Sequence, residues 1–253
     1  MLMPDSSSAI PMKLVERLRA AGHVVVLTGA GISAESGVPT FRDAMTGLWA
    51  RYDPQELATP QAFARQPKLV WDWYAWRREL VGGVAPNPGH FALAELERRI
   101  PRLTVITQNV DGLHQRAGSR SVIELHGNIA RVKCSRDGRI VDSWDDNGER
   151  PPRCPDCRSY LRPDVVWFGE ALPVDALARA LQAARSADVF LTVGTSGVVQ
   201  PAASLPLDAL EAGSFTAEIN PEETPLSPWM DCALRGPSGV LLPALMAAAW
   251  PSQ

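Results

Sequence analysis

A chain of 253 residues with 45% hydrophobic and 21% charged side chains has ordinary globular composition and can bury a full core, in a length that suits one large domain carrying a smaller insertion. Its formal charge of −3 gives no global electrostatic reason to bind nucleic acid, and no uninterrupted apolar run approaches the roughly 20 residues of a membrane span. The opening Met1-Leu2-Met3-Pro4-Asp5-Ser6-Ser7-Ser8 lacks a charged n-region followed by an apolar h-region, so the expectation is a soluble cytoplasmic protein without nucleic-acid or membrane partners. Four cysteines in a chain this long do not make a disulfide framework.

Residues 11–20 place apolar side chains at helical spacing and stop at Gly22, a helix terminator. The apolar run His23-Val24-Val25-Val26-Leu27 then reads as a strand feeding the loop Thr28-Gly29-Ala30-Gly31-Ile32-Ser33-Ala34-Glu35. Gly29, Gly31 and Ala34 satisfy the G-x-G-x-x-G/A pattern, in which small residues permit a tight turn and let backbone N–H groups approach a pyrophosphate. An ordinary dinucleotide fold next shows a short helix, a second strand and an acidic residue roughly 20 positions on. This chain instead runs into Pro39-Thr40-Phe41-Arg42 and helical stretches at 60–65, 68–81 and 90–99. Hydride-transfer dehydrogenase order is therefore absent. Short β-branched runs at 24–28, 103–107, 121–125, 188–193 and 214–219, separated by helical or turn-rich segments, predict a buried parallel sheet and an α/β architecture. Two excursions leave it, at 42–100 and 128–166, and are expected to form one small lobe against the large one.

Polar groups gather where these strands end. Gln108, Asn109 and Asp111 follow the second run, where open α/β sheets bind ligands, although Asn and Asp are also favoured there for local turn hydrogen bonds. His126 follows the third run, and its unperturbed pKa of roughly 6.5 suits proton transfer. His23, His90 and His114 read by themselves as structural or exposed. Cys154-Pro155-Asp156-Cys157 is a C-x-x-C knuckle, and Cys134 precedes it at a spacing compatible with a zinc ribbon. Cys232, far from these, reads as a buried apolar thiol. Tyr74 and Arg77 lie three apart in a helical stretch and share a face, while Arg77, beside Arg78 and Glu79, also fits a solvated helix surface.

The segments Thr28 to Arg42, Leu103 to His114 and Glu124-Leu125-His126-Gly127 together resemble those of the sirtuins, the NAD-dependent protein deacylases. The resemblance continues in family order through Val165-Val166-Trp167-Phe168-Gly169-Glu170, Val193-Gly194-Thr195-Ser196-Gly197-Val198-Val199 and Ile219-Asn220. It implies a Rossmann-like parallel sheet with helices on both faces, made of residues 1–41, 101–127 and 167–253, as the NAD-binding large domain. The small domain would comprise a helical part, 42–100, and a zinc-ribbon-like part, 128–166, with NAD and an acylated peptide in the cleft between.

The implied reaction removes an acyl group from lysine, consuming NAD and releasing nicotinamide and an O-acyl-ADP-ribose. By resemblance His126 is the base, with Asn109 and Asp111 holding the nicotinamide carboxamide and ribose. The NAD contacts are Gly29, Ala30, Gly31, Ser33, Glu35, Phe41, Arg42, Gln108, Asn109, Asp111, His126, Gly194, Thr195, Ser196, Asn220 and Ser238. Val166, Phe168, Gly169, Glu170 and Val198 would flank an extended substrate peptide as an added strand.

Tyr74-x-x-Arg77 resembles the subgroup that removes succinyl and malonyl groups, with Ala62 consistent with a wide acyl pocket. Bacterial members can retain deacetylase activity. The family usually supplies a second C-x-x-C pair, but Asp137 stands three after Cys134. Asp is a less common zinc ligand, so Cys134, Asp137, Cys154 and Cys157 form one reading and a degenerate, metal-free module the other. Rival readings on the same fold are a protein ADP-ribosyltransferase and a non-catalytic NAD or ADP-ribose sensor.

Overall fold

The computed structural model describes residues 10–39, 52–145 and 147–251. In chain order the described elements are α1 (Met12–Ala20), β1 (His23–Thr28), α2 (Ala30–Ala34), α3 (Pro54–Leu57), α4 (Pro60–Arg65), α5 (Pro67–Gly83) and α6 (Pro88–Arg99). There follow β2 (Arg102–Thr107), α7 (Leu113–Arg116), β3 (Val122–Glu124), β4 (Gly127–Cys134), β5 (Leu161–Val165), α8 (Val174–Arg185), β6 (Val189–Val193), α9 (Leu205–Glu211), β7 (Phe215–Asn220), β8 (Cys232–Arg235) and α10 (Ser238–Ala249). Among the described residues no helix is long and apolar enough to cross a membrane.

Every residue of β1 is buried, as a strand covered on both faces requires. Its alternate side chains serve different layers. Val24 and Val26 pack with Leu14, Leu18, Leu93, Leu96, Leu241 and Leu245 from α1, α6 and α10, whereas Val25 and Leu27 pack with Ala180, Ala183, Ala184, Leu205 and Ala209 from α8 and α9. The small alanines of α8 let that helix lie close to the sheet.

Six strands pair in the order β3-β2-β1-β6-β7-β8, all parallel. With the β4–β5 hairpin set aside, that is the doubly wound order third, second, first, fourth, fifth, sixth, whose direction reverses beside β1. A crevice therefore opens at the carboxyl ends of β1, β2 and β6. The fold is α/β with a Rossmann-like sheet, as the sequence predicts. β8 is an addition the sequence pattern did not announce: four residues long, it pairs with β7 at the sheet edge. Cys232 begins it and is half-buried, which corrects its expected burial, because an edge strand covers its side chains incompletely.

The remaining helices and the antiparallel β4–β5 hairpin share two further clusters. Phe63, Val70, Trp73 and Tyr74 meet Ile129, Val165 and Trp167; Trp71 meets Val132, Cys134, Cys154 and Leu161. One helix, α5, thus binds both excursions together. Local chemistry fixes its surroundings: Thr59 accepts the Ala62 N–H at 3.0 Å to open α4, and Asn87 accepts the Gly89 N–H at 2.9 Å to open α6, each followed by proline at the first helical position.

Candidate active site

The end of β1 meets the end of β6 too closely for side chains. Gly29 N–H donates to Val193 O at 3.1 Å and Gly31 N–H to Gly194 O at 2.7 Å. A Cβ on Gly29 would stand 2.8 Å from Gly194 O, one on Gly31 2.7 Å from Gly194 Cα, and one on Gly194, whose φ is +59°, 2.4 Å from Ile32 N. Backbone contact alone therefore shapes this floor. Above it lies a cavity of about 420 Å³, bordered by Gly29, Ala30, Gly31, Ser33, Gln108, Asn109, Asp111, His126, Gly194, Thr195 and Ser196. Its other wall comprises Tyr74, Arg77, Val166, Trp167, Phe168, Gly169 and Glu170.

A buried polar network holds the floor. His90 Nδ1 accepts the Asn87 N–H at 3.3 Å, so the neutral ring carries its proton on Nε2, which faces Ser33 Oγ at 3.4 Å. Ser33 Oγ–H donates to Asp111 Oδ2 at 2.8 Å, and Asp111 Oδ1 accepts the Leu113 N–H at 2.9 Å. Burial raises the Asp111 carboxyl above its ordinary value against these hydrogen bonds. Asn109 Nδ2 donates to Gly29 O at 3.1 Å and Ser33 Oγ at 3.0 Å, leaving its carbonyl oxygen as the remaining polar atom. Gln108 donates to Thr195 Oγ1 at 3.0 Å, joining the β2 and β6 ends.

His126 stands at the junction of the two walls. Its Nδ1–H donates to Gln108 O at 2.8 Å, which leaves Nε2 as the unprotonated, accepting nitrogen. Burial lowers its pKa from 6.5, partly offset by the Gln108 bond, so the neutral, basic form prevails at neutral pH. The following Gly127 has φ +81° and lies so near Asp164 O that a Cβ would come within 2.1 Å. That contact turns the chain from β3 into β4 and aims the imidazole.

Residues 29–201 match the Sir2 family. The chain belongs to the Sir2 family. A Pyrobaculum aerophilum protein named NAD-dependent protein deacylase 2 is 54% identical over 235 residues, covering 93% of this chain and 94% of that protein. A crystal structure of a Sir2 homologue–NAD complex superposes with a TM-score of 0.88 at 51% identity, covering 95% of this chain and 94% of its own. A structure of Sir2 bound to acetylated peptide does so with a TM-score of 0.82 at 33% identity, covering 94% and 98%.

Some residues expected at the site stand away from the cavity of this Sir2 chain. The Glu35 carboxylate accepts Ser238 Oγ–H at 3.1 Å and the Gly239 N–H at 2.8 Å, so Glu35 and Ser238 tie the loop to the start of α10. Asn220 ends β7 and donates to Glu222 O at 2.9 Å. Ala62 is buried among Phe63, Trp73 and Trp167, and Val198, 50% exposed, lies beside the cavity-lining Val199. Phe41 and Arg42 lie outside the described residues. Sequence reasoning passed over Val38, Pro39, Ala58, Val110, Leu172 and Gln200, apolar or unremarkable residues whose place on the wall no local pattern signals. His90, read from sequence as structural or exposed, is a buried structural histidine in the capping box of α6.

Tyr74 and Arg77 face the same cavity from α5. The Arg77 guanidinium lies 5.2 Å from the Trp73 ring centre, and burial lowers its pKa. Burial also pushes the Tyr74 hydroxyl well above its usual value, outweighing the opposing pull of Arg77, so it stays protonated.

The sulfurs of Cys134, Cys154 and Cys157 lie within 4.8 Å of one another, a donor set that fits a structural zinc ion. Arg136 N–H points at Cys134 Sγ from 3.4 Å, as donors to metal thiolates do. Burial pushes the Cys134 thiol up to about 11, while hydrogen bonds from Ser159 draw Cys157 down to about 7. Asp137 is not one of the three mutually close donors, but it stands beside them: it is exposed, its Oδ1 accepts the Arg139 N–H at 3.0 Å, and its side chain is hydrogen-bonded to Cys134. The Arg139 N–H first, and the Cys134 thiol second, hold its carboxyl below the usual range.

Proposed function

We propose that this chain is an NAD-dependent protein-lysine deacylase that removes succinyl and malonyl groups as well as acetyl, giving nicotinamide, an O-acyl-ADP-ribose and free lysine. The observation that carries the reading is His126, tautomer fixed by Gln108 O, opening on one cavity with the glycine floor, Asn109 and Asp111. The relative named NAD-dependent protein deacylase and the structures of an NAD complex and an acetylated-peptide complex support it.

The residues present fit NAD. A floor on which a Cβ cannot be placed lets backbone approach a pyrophosphate, and Gly194, Thr195 and Ser196 add small and hydroxylated neighbours. When bound, NAD supplies the ribose carbon that nicotinamide leaves and the acyl oxygen joins. Asn109, with both amide hydrogens engaged, offers its carbonyl oxygen to the carboxamide. Asp111, fixed by Ser33 and Leu113, completes that side. His126 Nε2 accepts the proton of a ribose hydroxyl, directly or by relay.

The substrate lysine enters in an extended peptide along Val166, Phe168, Gly169 and Val198. Phe168 is 46% exposed, and its N–H is given to Ala58 O at 2.9 Å. An acyl carboxylate meets Tyr74 and Arg77, where a charge-assisted pair in a partly desolvated site favours it. Cys134, Cys154 and Cys157 hold structural zinc away from the chemistry.

The test is NAD-dependent release of nicotinamide from matched succinyl-lysine and acetyl-lysine peptides. Turnover of both, abolished by His126→Ala and shifted toward acetyl by Arg77→Met, is the expected result. Acetyl-only turnover indifferent to Arg77 would overturn the acidic-acyl part. No turnover, with label from NAD retained on protein, would replace the reading by ADP-ribose transfer.

A further inference from the structure

Tyr74 does not stand alone in the acyl wall. Trp167 Nε1–H donates to its phenolic oxygen at 3.0 Å, inside the protein. Trp167 is itself gripped from two directions. The Arg162 guanidinium stacks on its ring, 3.3 Å from the centre, and its backbone N–H donates to Glu170 Oε2 at 2.9 Å. Arg162 and Glu170 are joined by two parallel hydrogen bonds, Nη1 to Oε1 at 2.6 Å and Nη2 to Oε2 at 2.9 Å, and Arg162 Nη2 also reaches Val165 O at 2.9 Å. Arg162 is 8% exposed, so this ion pair costs desolvation, and a planar bidentate fork is the geometry that offsets it. Burial raises the Glu170 carboxyl, yet the Arg162 and Trp167 hydrogen bonds prevail and hold it below its usual range.

A phenolic O–H prefers its ring plane and has two orientations there. An N–H donor on one side leaves only the other for the proton. Among the described residues the Tyr74 O–H has no acceptor, and Tyr74 borders the cavity. Building on the acidic-acyl reading above, we infer that Arg162, Glu170 and Trp167 are positioning residues for acyl specificity: they hold the Trp167 N–H on the Tyr74 oxygen, so that the phenolic proton points into the cavity as a ready donor to the acyl carboxylate. Glu170, itself at the cavity border, then acts through Arg162 and Trp167, and the donor pair Tyr74 and Arg77 is pre-oriented before substrate arrives.

Steady-state kinetics of the full chain with NAD and matched succinyl-lysine and acetyl-lysine peptides test this, using Trp167→Phe and Glu170→Gln, each alone and combined with Tyr74→Phe. Trp167→Phe keeps an aromatic ring but removes the N–H. It is expected to lower the succinyl-to-acetyl ratio of kcat/KM about tenfold, equivalent to about 1.4 kcal/mol, through the succinyl KM. The drop should vanish in the Tyr74→Phe background, which a general packing defect would not do. Glu170→Gln should shift the ratio the same way by a smaller factor, and it carries the test if Trp167→Phe melts far below the parent. An unchanged ratio in both single variants, while Tyr74→Phe and Arg77→Met alter it, overturns the positioning role alone. A parent enzyme that leaves succinyl-lysine untouched overturns the acidic-acyl reading and this inference with it.

Discussion

The two walls of the cavity are built on opposite principles. The floor at the β1 and β6 ends is backbone against backbone, with Gly29, Gly31 and Gly194 packed too closely for any Cβ and a short chain of hydrogen bonds from His90 through Ser33 to Asp111 beneath it. The wall proposed above to receive the acyl group, here the acyl wall, is side chain against side chain, with Tyr74, Arg77 and Trp167 carried on α5 and on the segment after β5 and locked by the Arg162–Glu170 pair. A backbone site cannot change its shape without changing the fold, whereas a side-chain site can be altered one residue at a time. Under the function proposed above, the division lets one nucleotide chemistry serve different acyl groups.

Several measurements can break or sharpen that contrast. The largest effect is expected for His126→Ala, which removes the proposed proton acceptor between the two walls and should lower kcat on every acyl peptide by about 10²–10⁴. Selective loss on one acyl group only would mean that the imidazole belongs to the acyl wall. Gly194→Ala should destabilise the chain by about 2–4 kcal/mol, because it combines a left-handed backbone with a direct clash. Chemical denaturation reads this, and a neutral outcome would dissolve the idea of a rigid floor. Arg77→Met should cost about 1.5–3 kcal/mol in succinyl kcat/KM, the range of a charge-assisted hydrogen bond, and little on acetyl. Equal loss on both substrates would show that the acyl wall is no more tunable than the floor.

Smaller effects follow from protons and metal. Burial depresses the folded pKa of His90 to about 4 and of His114 to about 3, from 6.5. Unfolding therefore takes up protons below pH 6.5. Stability from these neutral rings is full above that value and declines as pH falls toward 4 and then 3, by at most about 1.4 kcal/mol per pH unit for each histidine. His126, lowered from 6.5 by burial, places the acid limb of the pH–rate profile below 6.5. At the remote end of the small lobe, elemental analysis should find one zinc per chain, lost in Cys154→Ala, with faster hydrogen exchange in β4 and β5 and unchanged protection in β1.

The parts legible from sequence were those governed by local rules. Continuous apolar runs gave five strands of the parallel sheet, and Gly29-x-Gly31 marked the floor because close backbone approach admits no other residue. Asn109, Asp111 and His126 were identified by family pattern, and the fold brings them to one cavity. Less legible were elements whose role depends on what faces them. β8 is too short to carry a periodic signal, and only its pairing with β7 makes it a strand. Glu35 sits in the nucleotide loop by sequence, yet its carboxylate caps the start of α10 at Ser238, 203 residues away along the chain. Arg162 reads as an ordinary charge, and nothing in its neighbourhood announces an indole ring beneath it.

Sequence by itself determined the α/β layering, the glycine floor and the identity of the polar groups at the strand ends, because periodicity and steric exclusion act over a few residues. Tertiary structure decided which of those groups face one another: that Glu35 turns to α10, that Cys134, Cys154 and Cys157 gather their sulfurs, and that the Trp167 indole N–H meets the Tyr74 oxygen. These depend on contacts between distant segments, where orientation and burial, and not residue type, set what a side chain can donate or accept.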